Sequence, residues 1–375
     1  MSKPILLMFG GVSPEHEVSI ITGLQVLEHL DRALFEPHVV YVDKKGFPFY
    51  LPHLETRRDF ADADRKPITF GTDAKGGFIR LSGFFGKKIY PVSAYLAFHG
   101  GSGETGPIPG LLESLSLPYT SSSLESLSIT MNKQLTKEVV SASGISTVPG
   151  LSLSSAIIRQ HIQSVLTDLK KLSLPVIIKP VHLGSSIGIS IAKTATELEK
   201  SLLTAAQLDS EILVESLLSG FDEYNIAVRM IGGRLEVSAI ERPKSQDEIL
   251  SFADKYQRGG KKKTSGMASL DRNLPAKIDP KLKSQIESAA KAAFLACRCK
   301  GMVRIDFMLA SKKLYLTEIN PIPGSMAFYL WEAAGISFKR QITDLVNQSI
   351  VDGLPSQRYY FDYSTDIVSR FISQK

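Results

Sequence analysis

Cysteine is nearly absent: in 375 residues there are two, Cys297 and Cys299. Two thiols one residue apart build no disulfide framework, and their spacing suits no common zinc motif. "AAFLACRCK" reads instead as a helix segment that buries them. No apolar run approaches the ~20 residues a membrane-spanning helix needs, so no membrane partner is expected. The opening "MSKPILLMFGG" lacks the longer apolar region and small-residue cleavage site of a signal peptide, which makes a cytosolic, cytoplasmic protein the expectation. No G-x-x-x-x-G-K-[ST] occurs, which excludes a P-loop enzyme. The charge excess is a modest +6. The cluster "GGKKKTSG" stands without a basic, aromatic-interleaved array, so no nucleic acid is expected as a partner. A small anion such as a nucleoside triphosphate accounts for local positive charge equally well.

A hydrophobic share of 43% with 22% charged residues fits an ordinary soluble globular protein, and the length suggests two or three subdomains. In the first third, "PILLMFGG" reads as a strand, "EVSIITGLQVLEHL" as an amphipathic helix, "EPHVVYVDK" as a second strand and, after a polar excursion, "AYLAFHG" as a third. This βαβ rhythm predicts a parallel sheet. The loops "GGVSPEHE" and "HGGSGETG" then fall where open α/β sheets place ligands. From Ser121 the pattern turns helical, ends at Gly144, and leads to "LPVIIKPVHLGSSIGISIAK", two strands around a glycine-serine turn. Antiparallel strands with turns at "GG" and "SKK" follow. The polar stretch between them, with its centre at 247–266, has the length of a lid or a disordered segment. The expected division is 1–120, 121–213 and 214–375.

Three motifs carry chemistry. "GSGETG" matches the dinucleotide fingerprint G-x-G-x-x-G, but Pro107 and Pro109 crowd the next helix and the preceding strand is not the first of its domain. A tight turn lining another anionic site is the better reading. In "IIKPVHLGSSIGIS", Lys179 ends a β-branched strand, and Gly184, Ser185, Ser186 and Gly188 make a turn rich in N–H and hydroxyl donors. Such a turn wraps a phosphate with the lysine as point charge, or is an ordinary hairpin loop; the motif alone leaves both open. In "MVRIDFML" and "LYLTEIN", alternation puts Arg304 with Asp306 on one face and Glu318 with Asn320 on one face of the next strand. Three such oxygen ligands suit Mg²⁺, with the arginine stabilising developing charge. A salt-bridged exposed face is the alternative, and it leaves the asparagine unexplained.

In this order, "GGVSPEHEVS", "HGGSGETG", "LPYTSSSLESLSITMNK", "KPVHLGSSIGIS", "LVESLLSGFDEYNIAV", "DKY", "RIDF" and "EIN" make the chain resemble the D-alanine–D-alanine ligases of the ATP-grasp superfamily, from Phe9 to about Ile350. The resemblance implies an α/β fold. Its parts are a Rossmann-like N-terminal domain, a small central domain, and a mainly antiparallel C-terminal domain carrying the lid. It implies ATP and two Mg²⁺ ions, with Mn²⁺ as a substitute, and a homodimer. Glu15 matches the acid holding the first D-alanine's ammonium group, and His99 flanks that pocket. Lys133 and Lys179 match lysines on ATP, and Ser186 shares the phosphate turn. Ser185 matches the serine that links Tyr256 of the lid to Glu15, and Lys255 matches the lid lysine facing the phosphates. Glu215 lies in the segment that holds adenine, and Glu223 matches the acid on the ribose. Asp306, Glu318 and Asn320 match the metal ligands; Arg304 and the Gly324 N–H match the oxyanion-stabilising groups.

The implied chemistry is phosphorylation of the first D-alanine's carboxylate, then attack by the second amino acid with loss of phosphate. A lid suits it, since an acyl phosphate must be kept from water. Two departures stand out. Thr105 replaces a usual aspartate, and "PGSMAFYLW" is several residues shorter than the family segment whose serine helps hold the second D-alanine's carboxylate. Ser325 or Tyr329 is the candidate for that role, and the acceptor stays open among D-alanine, D-serine, D-lactate or another amino acid.

Overall fold

A computed structural model of the chain describes residues 2–83, 86–243, 272–353 and 365–373. Tyr256, Lys255 and the expected lid at 247–266 lie outside them. The first sheet is built around the strand Lys3–Gly10, whose last six residues are buried. It pairs in parallel with Phe35–Val42 on one side and Ser93–Leu96 on the other. Cover on both faces explains why "ILLMFG" is a continuous apolar run rather than an alternating one. The helix His16–His29 packs on this sheet at close range: a Cβ on Gly23 would stand 2.2 Å from the Phe9 ring. That contact sets the helix start, with Glu15, and Thr22 within it, over the strand ends.

The polar excursion between the second and third parallel strands is itself part of the sheet. Pro48–Tyr50, Lys66–Asp73, Gly76–Leu81 and Lys88–Ile89 extend it as antiparallel strands to a seven-stranded layer. Their glycines and charges hide a strand signal that outer, half-solvated strands do not need to show.

The central sheet is antiparallel and joins Gly150–Ser154, Val176–Pro180, Ser190–Ala192 and Glu211–Ser216. Its last strand crosses the expected division at 213/214. The helices Leu124–Thr130 and Lys133–Ala142, expected in the central unit, also stand elsewhere. Val140 and Ile145 join the core of the C-terminal sheet, because the apolar side of the second helix faces that layer.

That third sheet runs Arg234–Val237, Asp222–Ile231, Met302–Ala310, Lys313–Asn320. Both hairpins turn on two residues, Gly232–Gly233 and Ser311–Lys312, all at positive φ, the twist that tight hairpins favour. The helix Pro280–Ala296 covers the sheet. Asp279 accepts from the N–H groups of Lys281 and Leu282 at 3.0 Å, and Pro280 fills the first position, where no N–H is missed. Cys297 and Cys299 are buried free thiols beyond it.

After Asn320 the chain returns to the first domain. Met326, Leu330, Trp331, Phe338, Ile342 and Val346 join the core of the first sheet. Among the described residues no helix is long and apolar enough to cross a membrane.

Candidate active site

The three layers meet at one pocket. Glu15, His99 and Glu104 line it from the first domain, Lys133, Gly184 and Ser185 from the middle of the chain, and Arg304, Glu318, Asn320 and Gly324 from the C-terminal sheet. The sequence motifs therefore converge although up to about three hundred positions separate them.

Glu15 precedes the first helix and is buried. Ser185 Oγ donates to its Oε1 in a very short hydrogen bond. Two glycines bring loop backbone close to it. A Cβ on Gly184 would lie 3.0 Å from Glu15 Oε2, and one on Gly100 would lie 2.9 Å from it and 2.5 Å from Ser13 Oγ. The glycine-serine turn folds with Ser185 and Ser186 at φ 53° and 62° between antiparallel strands, so it is both a hairpin loop and a wall of the pocket. Tyr256, the expected third member of this link, lies outside the described residues, as does Lys255.

Lys133 Nζ donates to the Leu183 carbonyl at 2.6 Å and stands 3.8 Å from Glu318 Oε1. The expected convergence of the two strands holds: Arg304 registers with Asn320, and Asp306 with Glu318. The face is not exposed, since Arg304 and Asp306 are buried. Arg304 grips Asp306 with two hydrogen bonds, 2.7 and 2.8 Å, and Asn320 Nδ2 donates to Asp306 Oδ2 at 3.1 Å. Burial works against the Arg304 charge, but the Asp306 carboxylate outweighs it and raises the guanidinium pKa.

Two carboxylates and an amide make the hard oxygen set that Mg²⁺ takes. Among the described residues no three His, Cys, Asp or Glu side chains gather as a metal site, so the Asn320 amide and oxygens of a ligand have to complete one. Arg304 on Asp306 and Lys133 near Glu318 already balance both acids. The donor chemistry fits, and these cations share the acids with any ion that enters.

His99 is buried and bonds Thr22 Oγ1 at 2.8 Å. Burial lowers its pKa to about 4, with the Arg304 charge adding to the effect, so it is a neutral imidazole. Glu104, which the motif reading treated only as loop, is the main addition. "GSGETG" is not a dinucleotide turn: Gly101–Glu104 is one helical turn that sinks its carboxyl into the pocket wall. There Glu104 Oε2 accepts from the Gly100 N–H at 2.6 Å and Oε1 from the Ile322 N–H at 3.2 Å. Burial, then the Glu15 charge, push its pKa up to about 8.

A second, more apolar cleft lies beside the first. Val148, Ile177, Leu217, Leu218, Phe221 and Met308 wall it, and Lys179 and Glu215 close one end. The buried Glu215 accepts from Lys179 Nζ at 2.6 Å and, in a shorter bond, from Lys137 Nζ. Burial raises the carboxyl pKa, but Lys179 and Lys137 outweigh it and hold it below the usual range. Lys137 went unnoticed in the sequence, although it sits one helical turn after Lys133, the spacing that puts both on one face. Glu223 is half-buried on the strand Asp222–Ile231, opposite Met308.

Neither acceptor candidate is among the residues that line the first pocket. Ser325 is buried, its N–H donates to Thr22 Oγ1 at 3.2 Å, and it does not line the pocket. Tyr329 Oη donates to Glu241 Oε2 at 3.2 Å in a buried cluster with Arg272.

Comparison with known proteins identifies the family. The family model of the D-ala D-ala ligase N-terminus matches residues 4–122, and that of the C-terminus matches 139–347. The D-alanine–D-alanine ligase of Thermosipho africanus is 35% identical over 347 residues, 91% of each chain. That of Thermosipho melanesiensis is 33% identical over 349 residues, 92% of each. The solved D-alanine–D-alanine ligase of Coxiella burnetii superposes with a TM-score of 0.79 at 25% identity, covering 95% of this chain and 96% of its own. The layers described above are thus an ATP-grasp fold, and the chain belongs to the D-alanine–D-alanine ligase family.

Proposed function

We propose that the protein joins two D-alanines into D-alanyl-D-alanine for peptidoglycan precursors, with ATP converted to ADP and phosphate. The observation that supports this best is the single pocket in which Glu15, Ser185, Lys133, Arg304, Glu318 and Gly324 meet. Glu15 holds the ammonium group of the first D-alanine, fixed for that task by Ser185. The carboxylate of that amino acid takes the γ-phosphoryl group of ATP, giving an acyl phosphate and ADP. The amine of the second D-alanine attacks the acyl carbon, loses a proton, and phosphate leaves. Arg304 and the Gly324 N–H face the oxygen that becomes negative in this step, where preorganised donors count most.

The apolar cleft near Lys179 receives the adenine, Glu223 the ribose, and Lys133, Lys179, Ser185 and Ser186 the phosphates. The family reading assigns Lys255 to the phosphates and Tyr256 to the link with Ser185; both lie outside the described residues. Asp306, Glu318 and Asn320 would hold Mg²⁺ or Mn²⁺, which neutralises phosphoryl oxygens when bound. The family reading also carries a cytoplasmic location and a homodimer, the latter checked by light scattering of the purified protein.

The test is ADP release with D-alanine alone, with the product identified by mass spectrometry against D-serine and D-lactate as competing acceptors. D-alanyl-D-alanine is the expected product; no ADP release at any D-alanine concentration overturns the reading.

A further inference from the structure

The turn Pro321–Ser325 continues the last strand of the C-terminal sheet, Lys313–Asn320, yet side chains of the first domain hold it. Ile322 N–H donates to Glu104 Oε1 at 3.2 Å, and Ser325 N–H donates to Thr22 Oγ1 at 3.2 Å. Thr22 Oγ1 is bonded in turn to His99 Nε2 at 2.8 Å. With the Ser325 N–H on a Thr22 Oγ1 lone pair, the Thr22 hydroxyl hydrogen can point to His99 Nε2. The other Glu104 oxygen takes the Gly100 N–H at 2.6 Å, next to Glu15. Thr22, His99, Glu104 and Ser325 are all buried.

Gly324 sits between the two held amides and lines the pocket. Beyond it the backbone is in a conformation that needs outside support. Ser325, Met326 and Ala327 have φ of 49°, 53° and 46°, successive left-handed residues without a glycine among them. Such backbone persists only where its surroundings over-determine it. Gln341 holds the far end, its Nε2 donating to the Met326 carbonyl at 2.7 Å.

We infer that Glu104 and Thr22 are positioning residues that clamp the amides on either side of Gly324, so that the first domain aims the Gly324 N–H into the pocket. The inference rests on the ligase reading above and deepens it. Docking of the first domain then does more than supply Glu15: it sets the donor on which the acyl-transfer step depends.

The experiment uses the full-length protein and four forms: unaltered, Thr22→Val, Thr22→Ser and Glu104→Gln. Valine keeps the shape of threonine and removes the acceptor oxygen, whereas serine keeps the oxygen. Glutamine offers one oxygen where Glu104 uses two. Product formation is measured with saturating substrates, together with hydrogen exchange of the 319–327 segment. The clamp predicts that Thr22→Val and Glu104→Gln lose at least tenfold in kcat with KM for ATP within twofold. It also predicts faster exchange in 319–327 for both, and Thr22→Ser near the unaltered protein in each readout. Equal exchange, or faster exchange with kcat within twofold, overturns the inference. If Glu104→Gln does not fold, the Thr22→Val and Thr22→Ser pair decides. If the unaltered protein releases no ADP with D-alanine, the ligase reading fails separately, and the exchange comparison still tests the clamp.

Discussion

Ser185 and Glu15 are 170 positions apart and share a very short hydrogen bond across the pocket. The turn that carries Ser185 also presses Gly184 against the same carboxylate. A side chain fixed this way acts as a unit with its partner. Ser185→Ala and Glu15→Gln are each expected to lower kcat/KM for D-alanine by about 10–100-fold. Their double variant should lose far less than the product of the two. Fully multiplicative losses in steady-state assays would show that the pair does not act together.

Lys137 and Lys179 both ground the buried Glu215. Removing one cation leaves Glu215 paired with the other, so the loss is that of a hydrogen bond to a buried charged acceptor, about 1.5–3 kcal/mol. Lys137→Met should therefore lower stability in a denaturant titration by that order, and raise KM for ATP severalfold through the strand that leads into the apolar cleft. Adding Glu215→Gln should lower stability further, because it takes the remaining carboxylate partner from the half-buried Lys179.

Much of this site can be read from the sequence where local periodicity carries it. Arg304 with Asp306, and Glu318 with Asn320, follow from alternation on two strands joined by a two-residue turn. What escapes is set by long-range packing. Glu104 looks like any acid in a glycine loop, because its meaning lies in the Ile322 amide 218 positions away. The chain after Asn320 returns to the first core by burying Trp331 and Phe338 there, and no local pattern announces which core a helix will join. The left-handed run Ser325–Ala327 is equally silent, since the usual glycine is missing from it.

Asp306 and Glu318 face each other in register while Arg304 and Lys133 balance them. Mg²⁺ binding at these acids predicts that Glu318→Gln lowers turnover by at least a hundredfold and weakens Mn²⁺ affinity, read by electron paramagnetic resonance with ADP present. EDTA should abolish ADP release, and added Mg²⁺ should restore it. Unchanged Mn²⁺ affinity in the variant would remove Glu318 from the ligand set.

His182, inside the phosphate-turn motif, is tied to Asp209 twice: by Nδ1 to Oδ1 at 2.8 Å and by its N–H to Oδ2 at 2.6 Å. The hydrogen bond to Asp209 raises the His182 pKa above its ordinary value, against some desolvation. Burial raises the Asp209 pKa, but the bonds from His182 outweigh it and leave it lowered. A raised histidine pKa gives stability that is fully present below about 6.5, the unfolded value, and is lost as pH rises through the folded one. The aspartate part is present above about 3.9 and is lost as pH falls through its lowered folded pKa. Both parts act together near pH 5. The gap in denaturant midpoint between the unaltered protein and His182→Asn should be larger at pH 5 than at pH 8.5; equal gaps would show that the pair is not ionised in the fold.

Ser325 combines a left-handed φ of 49° with burial and with a place outside the pocket lining. A left-handed conformation costs a non-glycine residue about 1–2 kcal/mol, part of which glycine gives back through its freer unfolded chain. Ser325→Gly keeps the amide that Thr22 holds and should stabilise the protein by about 0.5–1 kcal/mol. Activity should stay within twofold, because the backbone rather than the hydroxyl is what this position supplies. The alternative expectation, that Ser325 replaces the missing serine of the longer family segment, predicts the opposite: a rise of tenfold or more in KM for the acceptor D-alanine. Steady-state kinetics at saturating ATP, with the two D-alanine sites resolved by their different apparent affinities, separates a residue that shapes the turn from one that holds the acceptor.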